Sequence, residues 1–264
     1  MDAIEKVLGK ISENRGYIYL IALVIILLAL FSRNASGIEW QTHPPIQPIN
    51  QSLGVVLGDI ESHMPRGHQY RSRDKRTWAH ETTHGIHSLL RQRNGGTGKV
   101  NCFYVGRNRY ITFNEPKGTL ADVSRMVPVS LRGEHTYSLY MVRQREHWNN
   151  EPLYVCDEWV AYANGAATGI DIKDTSYPSD TLFALHFTVY AWTMVVNCQI
   201  DDPRFIEFAK WHTERVMRLA KLAGMREAHN AYLHTFQTAP DAENIRGWIR
   251  YHGGREWTNR VLGF

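Results

Sequence analysis

The stretch Trp78-Ala79-His80-Glu81-Thr82-Thr83-His84-Gly85-Ile86-His87-Ser88-Leu89-Leu90-Arg91 decides how this chain is read. His80 and His84 stand four residues apart, so on an α-helix they share one face, one turn above the other. Ile86, Leu89 and Leu90 continue at helical spacing. Arg91 and Arg93 suit a helix C-terminus, and Asn94-Gly95-Gly96 stops it. The pattern predicts a helix over 77–93. Two imidazoles so placed can reach one metal ion. Glu81, between them, then falls beside the open metal position, where a carboxylate can take a proton from water. His87 lies one turn too far along for all three rings to converge on a tetrahedral ion, and it is expected at the rim or in support of a ligand.

A third ligand must come from another element. The best candidate lies in Leu153-Tyr154-Val155-Cys156-Asp157-Glu158-Trp159-Val160-Ala161-Tyr162, where Glu158-x-x-Ala161 opens an apolar helical run. A glutamate with a small residue one turn later lets a second helix come close to the first. Asp157 competes, but on a helix it points about 100° away from Glu158, so only one of the two can face the metal. Glu158 is preferred because Ala161 and Tyr162 share its side.

His80-Glu81-x-x-His84 followed by Glu158-x-x-Ala161 resembles the gluzincin-type zinc metallopeptidases. The arrangement is similar to thermolysin-like enzymes and more loosely to lethal-factor-type toxin peptidases. The likeness covers two short motifs and their order, not the whole chain. A metzincin is excluded, since the place of its third histidine is Leu90. The resemblance implies a zincin-like domain that binds Zn2+ through His80, His84 and Glu158 and hydrolyses peptide bonds with Glu81 as general base. In thermolysin-like enzymes an aspartate four residues after the ligand glutamate orients a zinc histidine. Here that place is Tyr162, which leaves Asp171 and Asn164 as candidates for the orienting role. Tyr154 and Tyr162 flank Glu158 on its helical side and are candidate oxyanion donors, with His135 and His147 as further options.

The N-terminal run from Gly16 to Phe31 carries no charge and with Ser32 reaches the length of a short membrane span. Lys6, Lys10 and Arg15 precede it and Arg33 stands alone after it. The positive-inside bias therefore keeps the N-terminus in the cytosol and places the rest of the chain on the extracytoplasmic side. The reading taken is an uncleaved anchor. Cleavage near Ala35-Ser36-Gly37, giving a secreted protein, is the alternative. The domains expected are a cytosolic segment 1–15, an anchor 16–32, a linker 33–52 containing Pro44, Pro45 and Pro48, and a catalytic domain 53–264.

The formal net charge of +4 is mildly basic, and no nucleic-acid motif is present. The cluster Arg66, Arg71, Arg73, Lys75, Arg76 reads as a solvated loop ahead of the motif helix. Cys102, Cys156 and Cys198 contain no C-x-x-C, so a thiolate metal site is not expected; outside the cytosol one pair could be bridged. Segments 100–105 and 110–113 alternate around Gly106-Arg107-Asn108-Arg109 and predict a hairpin, which could also pair with extended substrate. Segment 52–60 reads as strand or short helix, 122–127 as a short helix, and 138–145 as strand or helix. The run 182–196 reads as a buried helix capped by Ser179 or Asp180, Asp202-Pro203 opens the next, and two more follow over 227–236 and 241–252. The expectation is an α+β, zincin-like domain, helix-rich with a small sheet, preceded by one N-terminal transmembrane helix. Functionally it is a membrane-anchored peptidase acting on a peptide or protein substrate. The alternative is a membrane-anchored binding or scaffold module with an inactive or structural metal site. An intact Glu81 favours the first, since a structural site needs no general base.

Overall fold

Two long helices that cross close together carry the whole arrangement, and the remaining elements fix that crossing. A computed structural model describes residues 37–95, 99–174 and 178–264. In chain order the elements are β1 (Gln41–Thr42), α1 (Val55–Ser62), α2 (Lys75–Gly95), β2 (Val100–Gly106), β3 (Arg109–Asn114), α3 (Leu120–Met126), α4 (Tyr154–Asp171), α5 (Pro178–Asn197), α6 (Pro203–Leu222), α7 (Glu227–Thr238), α8 (Glu243–Gly253) and α9 (Arg255–Leu262). Residues Glu39–Phe264 make one unit, helix-rich with a small sheet, as the α+β expectation requires. The expected span 16–32 lies outside the described residues. Among those described, no helix is long and apolar enough to cross a membrane.

The motif helix is α2, and it extends two residues beyond the expected range at each end. It packs on α4, which is buried along nearly its whole length, including Val155, Trp159, Val160, Ala161, Ala163 and Ala166. A helix lying against α2, α5 and α6 has no solvent face to keep polar. The close approach falls at Gly165. A Cβ there would sit 3.3 Å from the Arg76 carbonyl and 3.7 Å from His80 Cβ. The glycine one turn after Ala161 therefore sets the distance between the two helices, while Ala161 itself is fully buried.

β2 and β3 form the expected hairpin, with Cys102 opposite Thr112 and Tyr104 opposite Tyr110. Arg107 and Asn108 turn it with φ of +54° and +61°, the left-handed pair that matches the twist of a two-residue hairpin. β1 pairs with β3 through Gln41–Tyr110 and Thr42–Arg109, so two residues of the 33–52 stretch are strand. The sheet order is β1-β3-β2.

Segment 52–60 resolves as the 3-10 turn Gln51–Leu53 followed by α1. Segment 138–145 resolves as a π-helix over Tyr137–Arg143, whose wide turns bury Tyr140 and Met141. α5 is the buried helix expected, and α6 opens as expected, with the Asp202 side chain accepting from Arg204 N at 2.8 Å ahead of Pro203. α9 has no counterpart in the sequence reading. The three thiols are free in this structure. Arg76 is not a solvated loop residue: it reaches Asp74 at 3.0 Å, Asp180 at 3.2 Å and Asp174 at 3.3 Å, tying the start of α2 to α5.

Candidate metal centre

His80 and His84 project from α2 toward α4, and Glu158 projects back from α4. Their atoms converge. His80 Nε2 and His84 Nε2 are 3.0 Å apart, and Glu158 Oε2 lies 3.4 Å from the first and 3.6 Å from the second. The glutamate is buried and both histidines are partly buried. This group could hold a metal ion. Glu158 Oε1 accepts a hydrogen bond from the Tyr154 hydroxyl at 2.8 Å, whereas Oε2 is sealed from solvent and has no hydrogen-bond partner among the described residues. Its nearest donors are the two imidazole Nε2 atoms at 3.4 and 3.6 Å, an arrangement that a cation among the three atoms would complete.

Behind the histidines stands a carboxylate that the sequence reading treated only as a rival ligand. Asp157 Oδ1 accepts from His84 Nδ1 at 2.8 Å and from His87 Nδ1 at 2.5 Å. Asp157 and Glu158 do point in different directions, yet both touch His84, because an imidazole presents nitrogens on two sides. One acid takes the inner nitrogen and its neighbour takes the outer one. By taking the Nδ1 hydrogen of His84, Asp157 fixes the ring with Nε2 turned into the cluster, where a metal would displace the second ring proton. Asp157, and not Asp171 or Asn164, is thus the carboxylate in contact with a histidine Nδ1 here. Asp171 instead caps α1, accepting from Val56 N at 3.0 Å, and Asn164 donates to Thr83 Oγ1 at 3.0 Å. His87 is buried in support of the ligand set through Asp157, as its place one turn along suggests.

The electrostatics are those of two carboxylates gathered around His84. Burial alone would raise both carboxyls, but His84 and its companions outweigh it. Glu158 is held down to about 2, and Asp157 is held well below the usual carboxylate range by His84 and His87. Burial opposes the charge on His84, but Asp157 and Glu158 overcome it and raise its pKa well above the ordinary imidazole value. Two ionised acids thus face the inner histidines without an external cation.

Glu81 is exposed, and its side chain makes no hydrogen bond among the described residues. It lines a cleft of about 220 Å³ together with His80, Tyr140, Tyr162, Asp180 and Phe183. The Tyr162 ring packs edge-on to His80, with centroids 4.4 Å apart, and its hydroxyl meets that of Tyr140 at 2.5 Å. Burial raises the pKa of Tyr140, Tyr154 and Tyr162, with Glu158 adding to it, so all three hydroxyls keep their protons. Of the four expected donors, Tyr154 is engaged with Glu158 and Tyr162 lies at the cleft. His135 stacks behind Phe183 at 5.7 Å, and His147 is exposed beside Glu146 at 3.8 Å. Tyr140, delivered by the π-helix, carries no motif that marks it in the sequence. No family model, curated protein or solved structure matches this chain.

Proposed function

We propose that this chain is a zinc-dependent peptidase of zincin-like architecture, tethered to a membrane by its N-terminal segment with the catalytic domain on the extracytoplasmic side. The supporting observation is the triangle of His80 Nε2, His84 Nε2 and Glu158 Oε2, with separations of 3.0, 3.4 and 3.6 Å. Donors about 2.0–2.2 Å from a tetrahedral ion lie roughly 3.3 Å from one another. Two imidazoles and one carboxylate, with no thiolate, are the donor set of catalytic zinc sites that keep a position open. A zinc ion there supplies Lewis acidity, bringing the pKa of a water toward neutrality and polarising a substrate carbonyl.

The chain's own residues carry the rest. Asp157 fixes the tautomer of His84, and Tyr154 fixes the rotation of Glu158. Glu81 stands at the cleft without a competing partner, placed to accept a proton from water and hand it to the leaving amine. Of the two hydroxyls in the Tyr140–Tyr162 pair, one donates to the other, and the second proton is left to meet a developing oxyanion. The test is cleavage of casein or a mixed peptide substrate by the metal-loaded protein, with and without chelator, beside Glu81→Gln. The substitution keeps size and removes basicity. Metal content should stay near wild type while turnover falls by about 10² to 10⁴. Equal cleavage by the two loaded proteins would contradict the peptidase reading.

A further inference from the structure

Away from the metal cleft, and sharing no lining residue with it, lies a larger cavity of about 810 Å³ between α1, the β2–β3 turn, α4 and α6. Four arginines line it: Arg107 and Arg109 from the hairpin, Arg215 and Arg218 from α6. Only one carboxylate does so, Asp59, and its Oδ2 already accepts from the Tyr104 hydroxyl at 2.7 Å and the Arg107 backbone N–H at 2.9 Å. Arg215 Nη2 donates to Asn164 Oδ1 at 2.6 Å, but Arg215 Nη1 and Arg109 Nε are sealed from solvent with no hydrogen-bond partner among the described residues. Burial and the neighbouring arginines pull the Arg215 guanidinium down to about 9, a measure of how poorly its charge is compensated. Arg109 packs over Trp40 and Trp211 at 5.3 and 5.8 Å and Arg215 over Trp211 at 5.9 Å, but among the described residues no carboxylate pairs with any of the four guanidinium groups, and an anion in the cavity would compensate them.

Gln51 and Asn164 also line the cavity, but much of the remaining wall is apolar. Val56, Ile60, Ala167 and Leu219 line its wall. At its mouth Val55 and Leu222 are 76% and 61% exposed, large aliphatic groups left in water. The volume falls within the roughly 300–1,000 Å³ of small-molecule sites, and an inorganic anion would fill little of it. Guanidinium forks match phosphate oxygens, and several of them favour a doubly charged head over a carboxylate. We propose that this cavity binds a phosphate ester carrying an apolar group, the phosphate held by Arg109, Arg215 and Arg218 and the apolar group laid against Val56 and Leu219.

The site connects to α2 through Asn164 and through Ile60, which packs in one cluster with Ala79 and Ile86. Asn164, which accepts from Arg215, donates to Thr83 inside the His80–His84 turn at 3.0 Å. Metal content therefore serves as a check that substitutions in the cavity leave α2 and α4 in place. The test is calorimetric titration of the full chain in neutral detergent with three probes: inorganic phosphate, hexyl phosphate, and dihexanoyl phosphatidic acid below its micellar concentration. Both esters should bind saturably and at least roughly tenfold tighter than inorganic phosphate. The Arg109→Gln, Arg218→Gln double variant, with metal content unchanged, should weaken both esters by about tenfold or more. Val56→Phe, which narrows the apolar half and keeps every arginine, should weaken the esters and leave inorganic phosphate alone. Tighter binding of the diacyl probe identifies a membrane lipid as the source, and tighter binding of hexyl phosphate a soluble ester. Absence of saturable ester binding, or ester affinity indifferent to both variants, overturns the proposal.

Discussion

Asp157 is the residue on which the ligand geometry turns. Its Oδ1 holds both His84 and His87, so removing the carboxylate frees two imidazoles at once. Asp157→Asn keeps the shape and can still accept one bond, but it loses the charge that fixes the Nδ1 proton. Metal affinity should fall by about 10- to 100-fold, the usual cost of losing an outer partner, without the loss of stoichiometry expected of a ligand. Competition titration against a chromogenic chelator would measure this, and unchanged affinity would remove Asp157 from the account. His80 and His84 were legible because a four-residue spacing has one helical meaning. Glu158 was legible as an acid opening an apolar helical run, although the close approach falls at Gly165 and not at Ala161. The duty of Asp157 was not, because helical angles predict where a side chain points and not which nitrogen of a facing ring it meets. Tyr140 was illegible for a different reason: a π-helix shifts side chains off the 3.6-residue period on which sequence reading depends.

At the level of elements, α5 shows how a buried polar contact links helix packing to pH. His186 is buried on α5, its Nδ1 2.9 Å from Thr136 Oγ1 and its ring 4.4 Å from that of Tyr232 on α7. Burial, helped by His229, lowers its pKa to about 4 from an ordinary 6.5. The unfolded chain therefore binds a proton on this group that the folded chain refuses. The stabilisation is fully present above pH 6.5 and is lost as pH falls toward 4. Relative to a His186→Gln variant, which does not titrate, the wild type should lose a few kcal/mol across that window in urea denaturation series. A constant difference between the two proteins would show that His186 does not titrate in this way. The element boundaries themselves were read well where local chemistry marks them, as at Asp202-Pro203 and around Arg107-Asn108. α9 escaped because its eight residues hold Trp257 and Leu262 among charged neighbours, too short a run for a period to declare itself.

For the whole molecule, the packing of α4 between α2, α5 and α6 ties the metal group to the core. A buried α4 follows from its apolar sequence, and Asp157 and Glu158 are the charged exceptions that the fold buries with it. The long helices and the hairpin were accessible from periodicity and turn residues. The crossing at Gly165 and the arginine-lined cavity were not, because they arise where segments far apart in sequence meet. Everything functional rests on one claim, that His80, His84 and Glu158 together hold a metal ion. The direct measurement is metal stoichiometry of the purified full chain after zinc loading and dialysis, for wild type, Glu158→Ala and Asp157→Ala. The account predicts about one zinc per wild-type chain, close to none for Glu158→Ala, and zinc retained at saturating concentration but held more weakly by Asp157→Ala. Full zinc in Glu158→Ala together with its loss in Asp157→Ala would place the ion on the His84, His87, Asp157 side and contradict it.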